Sequence, residues 1–376
     1  MVSPVPVAPL QAELEELLAH GGPITFAHYM EFALYHPRLG YYAHRVPGRG
    51  VTYATSASVG PRFGRYIARE LQAMWEALGR PDPFVVTEFG AGYAGLASAA
   101  LRVAGPMRGA LHWRIVEQFD EIAELQRRCL GAQAASVEWR RSLEGPAVTG
   151  CVLANEVLDN FAFHRFEVAE GGIQEVYVAA GSGGGLTEVL GPVSSEGLLE
   201  HVRPVADRLV PGCRFEISPG IGDWCRQVGR YLEQGYLLVV DYGDEEPDIW
   251  RRGPEGTLRT YGYPGRRAAP LVDPGNQDIT ADVDFSELDR QARRAGFDFE
   301  LMTLQGYWLD SLGAAAEADD LQAEAQIATA FGCHGEARTL RNERDQILRL
   351  TDTAGLGGCL VYRASKGLVD RPAPGP

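Results

Sequence analysis

Lysine is almost missing from this chain of 376 residues: Lys366 is the only one, and every other basic side chain is arginine. The arginines are dispersed without a local basic patch, and 50 acidic residues face 35 basic ones, for a net charge of −15. A surface of that sign repels phosphate backbones, which argues against nucleic acid as a partner. Cysteine is sparse. Cys129, Cys151, Cys213, Cys225, Cys333 and Cys359 stand apart, with no CxxC and no tight His/Cys cluster. This argues against a disulfide framework and a zinc site, and predicts six reduced thiols and no bound metal. No run of 18 apolar residues occurs, so no membrane-spanning helix is expected. The first twenty residues hold no Lys or Arg and no continuous apolar core. They read as neither a secretory signal nor an Arg-rich transit peptide, and a cytoplasmic location is expected.

What remains is ordinary globular material, 45% hydrophobic and 23% charged, enough for one large domain with insertions or for two domains. Residues 10–35 read as two helices. Leu10, Leu14, Leu17 and Leu18 share a face of the first; Thr25 caps the second and Pro37 stops it. Residues 45–60 form a Gly/Pro-rich loop long enough to bind or cover something, and 63–79 an amphipathic helix ending at Gly79. From residue 84 short apolar strands alternate with helices: 84–90, 111–118, 136–140, 150–157 as strand four and 236–243 as strand five. Such alternation implies right-handed crossovers and a doubly wound parallel sheet.

Residues 164–181 read as an antiparallel hairpin around Gly171-Gly172, and 250–280 as a Gly/Pro/Arg-rich loop. Helix 285–295, strand 297–304, a helical stretch 311–350 and strand 358–365 complete the chain. The expected organisation is an N-terminal helical and loop region over 1–80, covering the cofactor pocket, then an α/β domain over 81–370. Insertions fall at about 163–210 and 311–350, and 371–376 is a disordered tail by composition.

Gly90, Gly92 and Gly95 in TEFGAGYAG have GxGxxG spacing, directly after a strand and opening a helix. Glycine there permits a tight turn and close backbone approach to a ligand at the helix N-terminus, a pattern shared with NAD and FAD sites. Glu88, two residues before Gly90, shifts the balance, because an acidic residue there can meet the cationic amino group of a methionine moiety. Glu117 ends the second strand, 22 residues beyond Gly95, where a carboxylate can accept both ribose hydroxyls. S-adenosyl-L-methionine is the cofactor this set favours.

Seven blocks in order resemble the MidA family of class I methyltransferases, which includes mitochondrial complex I assembly factors that methylate a protein arginine. They are residues 22–42 with TSASVGPRFGRYIARE, the Gly loop, 154–166, EISPG (216–220), LLVVDYG (237–243), GTLRTY (256–261) and 273–285. The resemblance implies an α/β fold: a Rossmann-like class I methyltransferase sheet with an N-terminal helical and loop region, an inserted β-hairpin and a helical substrate-covering region. It also adds Thr55, which opens the TSASVG block, and Asn155 to the cofactor residues. The chain departs from the family pattern at Thr52, where an aspartate is usual. It also carries Asp159-Asn160-Phe161-Ala162 where the family usually reads Asp-Ala-Leu-Pro, and Asp282 where it usually has histidine.

Asn155 and Glu156 end strand four, the edge at which open α/β sheets bind ligands. Asp159 and His164 follow within a short stretch. A guanidinium stays protonated and offers five donors, so its methylation calls for carboxylates that hold and orient it. Glu156 and Asp159 suit that role, with Asp284 as a third candidate. His164 suits a different acceptor, as general base for a hydroxyl or phenol. The bland alternatives are a turn or cap for Asp159 and a hydrogen-bonded structural histidine. The leading expectation is a methyltransferase acting on an arginine or other nitrogen of a protein or peptide. A small-molecule methyltransferase and a non-catalytic assembly factor are the alternatives, and a homo-oligomer is compatible with either.

Overall fold

The computed structural model describes residues 9–43, 55–262 and 269–368; residues 45–54 of the long loop and the 371–376 tail lie outside them. The chain divides into two compact units, each built from three stretches: Met1–Tyr53, Asp159–Asp223 and Gly243–Ser286 in one, and Ala54–Leu158, Trp224–Tyr242 and Glu287–Pro376 in the other.

The second unit holds a seven-stranded sheet, whose strands in chain order are β1 (Phe84–Phe89), β2 (Leu111–Val116), β3 (Val137–Arg140), β4 (Val148–Asn155), β5 (Leu232–Asp241), β6 (Asp298–Leu304) and β7 (Leu360–Lys366). Their spatial order is β6-β7-β5-β4-β1-β2-β3. The reading of short apolar runs as parallel strands holds from β3 to β5, whose pairs are all parallel. In β1 the apolar run continues because both faces are covered, and Phe84 through Glu88 are all buried. The expectation of a wholly parallel sheet needs one correction. β7 runs antiparallel to both β5 and β6, and an apolar strand pattern carries no sign of direction.

Helix Pro61–Ala77 packs on helix Gly95–Arg102 through Gly64, where an added Cβ would stand 2.5 Å from the Ala99 methyl. Trp113, Trp308, Phe63, Tyr66, Phe84 and Tyr236 fill the core of this unit. The helical stretch expected over 311–350 is an α-hairpin, Ala314–Ala330 and His334–Thr351.

The first unit carries an antiparallel sheet in which the expected hairpin appears as His164–Ala169 and Gly172–Ala180. Strands Arg214–Ile217, Ile24–Thr25 and Leu186–Gly191 extend it. Leu10, Leu14 and Leu18 are buried with Phe26, Met30, Phe163 and Ile279, while Leu17 is only half-buried. Thr25 caps helix Phe26–Tyr35 by accepting the His28 N–H at 3.2 Å. Residues 250–280, expected as loop, contain an antiparallel strand pair, Arg259–Gly262 with Gln277–Thr280. Each is only four residues long, and Gln277–Thr280 is buried throughout, so neither shows the in–out alternation that marks a strand. Among the described residues no helix is long and apolar enough to cross a membrane, and no group of His, Cys, Asp or Glu is arranged to hold a metal.

Candidate active site

The turn after β1 depends on backbone conformations that favour glycine. Gly90 and Gly92 have φ of +59° and +53°, in the left-handed region where a Cβ is strained. At Gly90 an added Cβ would also meet Val157 Cγ2 at 2.7 Å, whereas at Gly92 nothing lies within 4 Å. Gly92 thus leaves open space for a ligand to approach the backbone. Gly95 has no such demand, since a Cβ there would make an ordinary contact 3.8 Å from the Ala57 carbonyl oxygen.

Glu88 and Glu117 end neighbouring strands of this unit. Glu88 is almost fully buried, accepts the Trp113 indole N–H at 2.9 Å, and is pushed up to about 8 by burial. A cation brought against that carboxyl would restore its charge. Glu117 accepts N–H groups from Phe119 at 3.1 Å and from Gln126 at 3.0 Å. Burial raises its pKa, and those donors pull it back down.

At the end of β4, Glu156 is itself left-handed, with φ of +51°. Its backbone N–H donates to the Val240 carbonyl at 2.8 Å. Its carboxylate accepts the Ser56 N–H at 2.8 Å and the Asn155 amide at 3.3 Å. A strained non-glycine residue held by several bonds is a common feature of functional sites. The other amide atom, Asn155 Oδ1, is buried without a hydrogen-bond partner, an acceptor left available for a ligand donor. Fully buried Asp241 ends β5 and accepts the N–H groups of Val157 (3.1 Å), Leu158 (2.9 Å) and Tyr242 (2.9 Å). Burial first, and then the charge of Glu156, push it up to about 8. Thr55 sits beside this cluster in sequence, but its hydroxyl caps the Ser56–Ser58 turn by accepting the Ser58 N–H at 3.2 Å.

Asp159, His164 and Asp284 belong to the first unit. Asp159 is buried, and its carbonyl accepts the Ala281 N–H at 3.0 Å. Asp284 lies opposite Asp244 in a short parallel strand pair. His164 has a partner that the sequence did not reveal. Its Nδ1 lies 2.6 Å from Oε1 of the fully buried Glu175, whose other oxygen accepts the Ser194 N–H at 2.6 Å. A carboxylate on Nδ1 holds that proton in place and leaves Nε2 as the basic nitrogen.

Comparison with known proteins decides the family. The family model described as an S-adenosyl-L-methionine-dependent methyltransferase matches residues 66–303, more than half of the chain. The Drosophila melanogaster "Protein arginine methyltransferase NDUFAF7 homolog, mitochondrial" is 30% identical over 321 residues, 76% of this chain and 70% of the relative. Its human counterpart is 27% identical over 77% of this chain and 70% of the relative. The chain belongs to this methyltransferase family. A crystal structure of a COG1565 superfamily member from Burkholderia thailandensis bound to S-adenosyl-homocysteine superposes with a TM-score of 0.82 at 28% identity, covering 96% of this chain and 92% of that one.

This methyltransferase depends on S-adenosyl-L-methionine, and the residues present fit that molecule. The left-handed turn at Gly90 and Gly92 with clear space at Gly92, the orphaned acceptor of Asn155 and the carboxylates of Glu88 and Glu117 match a ligand carrying a ribose and an ammonium group. Ser56, Gln126 and Glu175 escaped the sequence reading. Gln126 alone left a signal: a polar residue on the otherwise apolar face, with Ala123 and Leu130, of helix Asp120–Leu130.

Proposed function

We propose that this methyltransferase acts on an arginine side chain of a protein or peptide. The observation that carries the reading is the carboxylate cluster at the ends of β4 and β5, where Glu156 is held by Ser56 and Asn155 with buried Asp241 beside it. Glu156 would hold and orient a guanidinium and take the proton that the methylated nitrogen gives up. Glu117 would accept the ribose hydroxyls, and Glu88 with Asn155 Oδ1 the ammonium group. When bound, the sulfonium cofactor supplies an electrophilic methyl group. The protein's share is therefore positioning, dehydration and charge. A net charge of −15 favours encounter with a cationic acceptor. Asp159 and Asp284 are proposed as further acceptor residues, and Thr55 as a support of the Ser56 turn. The relatives' names place them in mitochondria. For this chain a reducing compartment such as the cytosol is proposed, because its cysteines are sparse and scattered with no CxxC among them.

The test is radiolabelled methyl transfer to arginine-containing peptides and to the same peptides with lysine in place of arginine. Label confined to the arginine set supports the reading, and label on neither set ends it. The oriented His164–Glu175 pair favours a second reading, a hydroxyl or phenol acceptor with His164 as general base.

A further inference from the structure

Gln126 is fully buried on helix Asp120–Leu130, and each polar group of its amide is engaged. Nε2 donates to the Gly92 carbonyl at 3.1 Å and to Glu117 Oε2 at 3.0 Å, while Oε1 accepts the Trp139 indole N–H at 2.9 Å. The amide orientation is unambiguous, because an indole only donates and a carbonyl or carboxylate only accepts. Burying an amide on a core-facing helix position costs stability unless it is bonded, and a leucine would fill that position without polar demands. The three bonds also join parts of the chain distant in sequence: the glycine turn after β1, the carboxylate ending β2 and the indole of β3. With Phe119 holding the other oxygen at 3.1 Å, Glu117 is fixed at both oxygens.

We propose that Gln126 is a positioning residue for the cofactor's ribose, locking the Glu117 carboxylate and the Gly92 backbone into one rigid piece before the ligand arrives. The proposal rests on Glu117 being the ribose carboxylate. Preorganisation of this kind raises affinity by sparing the ordering of Glu117 on binding. It acts through the ribose hydroxyls, whereas a role confined to core packing would act on all ligands alike.

Isothermal titration calorimetry with S-adenosylhomocysteine and its 2′,3′-dideoxy analogue separates the two. Gln126→Leu is expected to weaken S-adenosylhomocysteine about tenfold, the scale of one hydrogen bond to a charged group. The dideoxy analogue should bind almost as before, so that the preference for the hydroxylated ligand collapses. In a Glu117→Gln background, Gln126→Leu should add little further loss. An unchanged preference in Gln126→Leu, with Glu117→Gln abolishing it, overturns the positioning role and leaves Gln126 as packing. An unchanged preference in Glu117→Gln alone removes the ribose reading, and the proposal with it. Should Gln126→Leu not fold, Gln126→Met keeps the length of the side chain and removes the donor to Glu117. The same collapse is expected there, and its absence overturns the proposal.

Discussion

Ser56 donates its backbone N–H to the Glu156 carboxylate across 2.8 Å, although the two residues lie one hundred positions apart in the chain. The contact fixes a negative charge at the sheet edge where ligands bind in this class of fold. Glu156→Gln keeps the shape and removes the charge. It is expected to leave S-adenosylhomocysteine affinity within about twofold and to lower turnover by about 100-fold or more, on the scale of a lost charge-assisted contact or general base. If arginine is the acceptor, Asp159→Asn should behave similarly. If a hydroxyl is the acceptor, His164→Ala should be the more damaging change. Full turnover in Glu156→Gln would remove this residue from the mechanism.

Glu117→Ala is expected to weaken S-adenosylhomocysteine binding by about 1–3 kcal/mol, through the loss of charge-assisted hydrogen bonds. Calorimetry showing wild-type affinity would reduce Glu117 to a strand end.

The three glycines of the turn should separate in a single alanine series. Gly90→Ala combines left-handed strain with a 2.7 Å approach to Val157 and should cost about 2–4 kcal/mol of stability. Gly92→Ala meets no neighbour, so its stability cost should be about 1–2 kcal/mol, with the larger effect falling on cofactor affinity. Gly95→Ala, at the first position of a helix, should be tolerated or slightly stabilising. Thermal melts with and without S-adenosylhomocysteine check all three, and equal losses would refute the steric assignment.

Glu88 and Asp241 should make the ligand-free protein less stable as pH rises. Both folded-state pKa values are raised to about 8 from ordinary carboxylate values, so the native state binds more protons than the unfolded chain between about pH 4 and 8. Their protonated forms hold the fold at the acid end, and that contribution is lost as pH climbs through 8. The wild-type Tm should therefore fall between about pH 6 and pH 8.5, and Glu88→Gln should narrow the fall. An unaltered fall in Glu88→Gln would show that Glu88 does not titrate in this range.

Much of the β1–β5 framework was legible because its signals are local. Alternating strands and helices mark the sheet, and Gly90 and Gly92 mark the turn that their left-handed conformations require. Contacts between distant positions were not legible. Glu175 reads as an ordinary hairpin residue until the fold sets it 2.6 Å from His164. Asp241 falls within the strand expected over 236–243, but nothing in its neighbourhood announced that it receives three backbone N–H groups. Gln277–Thr280 stayed hidden as a strand because its partner, Arg259–Gly262, lies across a stretch rich in glycine and proline.

β7 also governs how the protein can be made. It occupies the slot between β5 and β6, pairing Leu237 with Ala364 and Val240 with Val361, yet of the seven strands of this sheet it is the last in chain order. Until residues 360–366 leave the ribosome, the outer edge of β5 exposes an unsatisfied row of backbone donors and acceptors along a very apolar strand. Such an edge is a template for pairing with another nascent chain. Translation that stops short of Leu360 would release a polypeptide with its glycine turn and carboxylates already encoded, but destined for aggregates or for chaperones.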